Sequence, residues 1–151
     1  MQAPDLAKSC PRSPLDRLGD LPWLPRLIDK ARAHLAGTMG DYIPYPCGGD
    51  QRFLDTFGLD ANALLGVIGQ GLSDEAVAEW VRLEATEDLQ EGVRVLLAHF
   101  EAPIPPDDAD RLFRLQQARA ELQQARPDLD LTWVDNFTKL ILAEEGHPRL
   151  A

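Results

Sequence analysis

The chain has little of what motif-encoded chemistry requires. Its two cysteines, Cys10 and Cys47, sit in no metal-ligand spacing, which excludes a zinc-type site built on them. A disulfide between them would be unusual in a cytoplasmic protein of 151 residues. Its three histidines, His34, His99 and His147, are scattered, so no paired-histidine metal motif forms. No apolar run approaches the length of a membrane span. Residues Met1 to Lys8 lack the apolar segment of a signal peptide, so the cytoplasm is the expected compartment. There is no Walker loop, dinucleotide fingerprint or nucleophile elbow. Gly66, Gly69 and Gly71 follow no strand pattern and are not a phosphate cradle. No catalytic residue, metal ligand or cofactor is therefore expected.

Positive charge is also scarce. Lys and Arg number 15 against 25 Asp and Glu, a net charge of −10. A basic field for nucleic acid is excluded on that balance. The imbalance is local: residues 58–110 hold two basic and twelve acidic groups, and the rest of the chain is neutral. Asp74, Glu75, Glu87, Asp88, Asp107 and Asp108 fall at expected helix starts, where negative charge is stabilising.

What is present is helical periodicity. Leu27, Ile28, Ala31 and Leu35 form an apolar stripe, with Pro22 and Pro25 near its first turn, Asp20 as N-cap and Gly37 as C-cap. Further helices are expected over Gln51–Phe57 after Asp50, after Asp60 with Leu64 and Ile68, and after Ser73 with Val77, Trp80 and Val81. Gly66 and Gly69 would let another backbone approach closely. Thr86 is expected to cap a helix with Leu89, Val93, Leu96 and Phe100. Pro106 should open a long helix with Leu112, Leu115 and Leu122, and Thr132 a last one with Trp133, Phe137 and Leu140. Strand alternation is absent, so the expected class is all-α. The architecture is a compact bundle of about six to seven helices, with one long irregular loop and an extended N-terminal arm. The chain reads as a single helical domain over 1–151. A body spans 1–102, and a C-terminal hairpin over 103–151 packs on it or on a partner.

The unusual surface is the first helix with the segment after it. Arg26, Asp29, Lys30 and Arg32 share the polar side of that helix, where Asp29 can pair with Arg26 or Arg32. From Gly37 to Cys47 nothing is periodic, and loops of this length are often functional. Tyr42 and Tyr45 offer rings with polar tips, and Cys47 and Asp50 offer chemistry. Arg26, Asp29, Lys30, Tyr42, Tyr45, Cys47 and Asp50 are thus the candidate ligand-binding set.

Several stretches also resemble a known family. Arg12-Ser13-Pro14, the run Leu24 to Arg32, Gly37, Gly40 and Tyr42, and Ser73-Asp74-Glu75 with Trp80-Val81 resemble a bacterial family known as domain of unknown function 5069. The resemblance covers roughly residues 5–100 and is most specific over Pro25-Arg26, Asp29-Lys30 and Arg32. It implies no activity. It points to Arg26, Asp29, Lys30, Tyr42 and Asp50 as a shared set.

Two functions are expected from these features. The first is a non-enzymatic helical interaction module, with a protein partner or self-association through the last two helices. The alternative is a binder of, or enzyme acting on, a small anionic metabolite at the Arg26, Lys30 and Tyr42 surface. Neither involves nucleic acid or a membrane.

Overall fold

Prolines, glycines and short polar side chains set most helix ends in the computed structural model, which describes residues 2–149. Among the described residues there are seven helices and one two-stranded hairpin, so the class is all-α. The helices are α1 (Leu24–Ala36), α2 (Gly48–Phe57), α3 (Ala61–Gly69), α4 (Asp74–Glu84), α5 (Leu89–Glu101), α6 (Ala109–Ala125) and α7 (Phe137–Glu145). None is long and apolar enough to cross a membrane. The chain divides into two units, Met1–Leu96 and Leu97–Ala151, and the division falls inside α5.

In the first unit α1 packs on α3 and α4. Leu24, Leu27, Ile28 and Ala31 are fully buried, as their spacing predicts. Leu35 is not: it is half exposed at the last turn, where it leaves the stripe. The expected arm carries the hairpin, β1 (Arg17–Leu18) paired with β2 (Leu21–Pro22). Gly19 makes its two-residue turn at φ 63°. That turn removes Asp20 from the N-cap of α1, and Asp20 instead lies 3.5 Å from Arg82. Trp23 precedes the helix, in the left-handed region at φ 70°. Its indole packs against Gly49, where any Cβ would overlap the ring. Gly66 faces open space, so the close approach expected there does not occur.

Other helix starts shift for local reasons. α2 begins at Gly48, so Asp50 is inside its first turn rather than before it. Thr86 does not cap α5, which begins only at Leu89, and its N–H donates to Phe57 O at 3.0 Å. Asp88 accepts from Glu91 N at 2.8 Å and takes that place. Asp60 and Ser73 cap α3 and α4 as expected.

In the second unit Ile104, Leu115, Leu131, Val134 and Leu140 form an apolar cluster between α6 and α7. Leu112, Leu122, Trp133 and Phe137 pack against it, so the residues expected to mediate self-association are engaged within the unit. Pro106 lies in a turn closed by Asp108 N to Pro105 O (3.0 Å), and Asp108 caps α6. Thr132 does not start a helix, since its N–H and hydroxyl both donate to Asp130 Oδ1 (3.0 and 2.6 Å). Asn136 caps α7 instead, and its Nδ2 donates to Phe100 O and Ala102 O at 3.1 and 2.8 Å.

Candidate functional site

The polar side of α1 faces inward. Arg26 and Lys30 are each 3% exposed, and Arg32 is 8% exposed. Burial of charge at this level requires partners within the fold, and the chain supplies them from remote positions.

Asp50 is fully buried and gathers three donors. Its Oδ1 accepts from Trp23 Nε1 at 2.8 Å. Its Oδ2 accepts from Cys47 N at 3.0 Å and from Lys30 Nζ at 3.4 Å. Asp50 therefore closes the start of α2, anchors the residue before α1, and neutralises a buried ammonium. A carboxylate so occupied is a structural joint.

The second joint involves Arg12, from the arm. Its Nε and Nη2 reach the two oxygens of Asp29, each at 3.0 Å, in a fork, and its own N–H donates to Asp29 at 2.9 Å. Its Nη1 reaches Asp74 Oδ2 at 2.7 Å. Arg32 Nη1 lies 2.9 Å from the other Asp74 oxygen, and its Nη2 donates to Leu72 O at 3.1 Å. Arm, α1 and the start of α4 are thereby tied together. Asp29 pairs with Arg12, not with Arg26 or Arg32 as the helical spacing suggested. Burial lowers the Arg12 pKa, but hydrogen bonds and charge from Asp29 and Asp74 more than offset this and raise it. For Asp74, burial acts upward, and Arg12 and Arg32 outweigh it, so the carboxyl titrates below its usual range.

Arg26 and Tyr42 meet. The Arg26 guanidinium carbon is 6.0 Å from the Tyr42 ring centre and 5.7 Å from that of Trp23, and its Nη1 donates to Arg12 O at 3.2 Å. Tyr45 is buried, and its hydroxyl donates to Ala61 O at 2.9 Å. Burial, with the negative charges of Asp50 and Asp60, raises its pKa well above the ordinary phenol value. The loop is also held at its start, by Thr38 Oγ1 to Pro4 O (2.7 Å) and Leu6 N to Thr38 O (2.8 Å). Cys47 and Cys10 are both free thiols, and Cys47 is half-buried. Among the described residues no group of three or more His, Cys, Asp or Glu gathers to hold a metal.

The structure thus brings the candidate residues to one region, around the first half of α1 and the start of α2. It adds Arg12, Trp23 and Asp74, which reading for a ligand set left out, and pairs Arg32 of the helix's charged side with Asp74. Arg12 stood in a proline-rich arm and Asp74 read as a first-turn acid. The one signal for Arg12 was its place in Arg12-Ser13-Pro14.

The family model described as "Domain of unknown function (DUF5069)" matches residues 8–146. The chain belongs to this family. The DUF5069 match runs well past the region of residue-level resemblance and takes in α6 and α7. Every residue of the two joints lies inside it. No curated protein sequence matches the chain.

Proposed function

We propose that this DUF5069 chain is a non-enzymatic interaction module, and that the loop over residues 38–47 is its contact element. The carrying observation is a contrast in exposure. The loop is anchored through Thr38, Tyr45 and Cys47, yet Ile43 within it is 70% exposed. Asp41 and Pro44 beside it are exposed as well. A loop already ordered loses little conformational freedom when a partner covers it, which favours recognition.

The buried joints argue in the same direction. Lys30 faces Asp50, and Arg12 and Arg32 face Asp29 and Asp74. A small anion approaching these cations would have to displace a bonded carboxylate. The cations serve to fix the loop and the helix that carries it.

Affinity capture from cell extract, with wild type and Ile43→Asp side by side, tests this reading. A protein recovered with wild type and lost with the variant, at unchanged melting temperature, supports it. No such protein in repeated trials counts against it. Thermal stabilisation by an anionic metabolite that disappears in Arg26→Ala would favour a ligand site instead.

A further inference from the structure

A second polar arrangement lies on α6, in the second unit, and shares no residue with the two joints. A cleft of about 390 Å³ is lined by Gln116, Arg119, Ala120, Gln123, Leu131 and Thr132. That volume falls in the range of small-molecule sites. Positions 116, 119, 120 and 123 share one face of the helix by their spacing, and Leu131 and Thr132 close it from the following turn.

Arg119 is the decisive group. It is half-buried, and its Nη1 donates to Val134 O at 3.2 Å, which fixes the guanidinium. It forms no ion pair among the described residues, whereas Arg111, Arg126 and Arg149 in the same unit each pair with an aspartate. Asp130, two residues before Thr132 of the lining, is already engaged. It accepts from Thr132 N and Oγ1 and lies 3.8 Å from Arg149. An oriented guanidinium with unused N–H groups in a cleft suits a carboxylate.

The remaining lining specifies the rest of the ligand. Gln116 presents an exposed amide that can donate beside Arg119. Gln123 uses its amide nitrogen on Arg126 O and Leu129 O (3.3 and 3.0 Å), which leaves its oxygen to accept. Thr132 Oγ1 donates to Asp130, so toward the cleft it too can only accept. Donors lie on one side and acceptors on the other, with Ala120 and Leu131 as apolar wall. We propose that this cleft binds a small organic carboxylate that also carries an O–H or N–H donor, a compound of the hydroxy-acid or amino-acid class.

Three near-isosteric probes test it by NMR on the full chain: 3-hydroxybutyrate, butyrate and 1,3-butanediol. The expected result is saturable, millimolar-range shifts of the Gln116 and Gln123 side-chain amides with 3-hydroxybutyrate. Binding should be weaker with butyrate and absent with the diol. Arg119→Gln should weaken binding by about tenfold or more. Ala120→Phe, at an exposed position, fills the cleft beside Leu131 and should abolish binding at unchanged melting temperature, even if the Arg119 variant folds poorly. The proposal is overturned if the diol binds as well as the hydroxy acid. It is equally overturned if Ala120→Phe leaves binding unchanged, or if no saturable shift occurs at those amides.

Discussion

Around α1, Lys30 meets Asp50 in the interior and Arg12 grips Asp29 at a partly buried site, whereas the cluster of Ile104, Leu115, Leu131, Val134 and Leu140 contains no charged side chain. In the first region Lys30, Asp29 and Arg32 each meet a counter-charge from a distant part of the chain. In the second, apolar contact suffices, and polar groups such as Asn136 serve only to cap and to satisfy carbonyls. The two regions should therefore respond differently to single substitutions and to pH.

The largest effect is expected at Asp50. Asp50→Ala leaves the Lys30 ammonium and the Trp23 N–H buried without their acceptor, and should destabilise by about 3–5 kcal/mol in urea unfolding. A loss below about 1 kcal/mol would erase the contrast between the regions. Leu115→Ala, at a site 3% exposed, should cost about 2–5 kcal/mol through lost burial and a cavity. Its deficit should be the same at neutral and acidic pH, because the cluster contains no titrating group.

Asp74→Asn is the contrasting case and should cost about 1–3 kcal/mol near neutrality. The Asp74 carboxyl titrates lower in the folded chain than in the unfolded one. Its contribution is complete above the unfolded value of about 3.9 and is lost as pH falls through the folded value. The gap between wild type and Asp74→Asn should therefore narrow on acidification, and a constant gap would contradict the ion-pair reading. Ile43→Asp should change stability least, within about 0.5 kcal/mol, because the side chain is exposed. A larger loss would mean that Ile43 helps hold the loop.

The helical class and most core faces were legible because they depend on spacing within one segment. Leu27, Ile28 and Ala31 needed only their own helix to be read as buried. Cap assignments failed where another contact or turn held the expected residue outside the helix start. Phe57 O holds Thr86, the Gly19 turn diverts Asp20, and Asp130 takes Thr132. On the polar side of α1, Arg26 lies against the half-buried Tyr42 and Lys30 against Asp50, with Arg26, Lys30 and Asp50 themselves buried. Local spacing assigned Asp29 to its helix neighbours, whereas its partner lies seventeen residues away in the arm. Arg12, Asp29, Asp74 and Arg32 belong to three segments, and no periodicity within one segment encodes a contact among three.

The central claim is that Asp29, Lys30 and Arg32 of α1 are matched to counter-charges from other segments. A double-mutant cycle on Lys30→Met and Asp50→Asn, read by urea unfolding, tests it most directly. Each single variant should be strongly destabilised, and the double variant should lose less than their sum by roughly 1–3 kcal/mol. Losses that add within about 0.5 kcal/mol would show that the two side chains act independently, and would contradict the account.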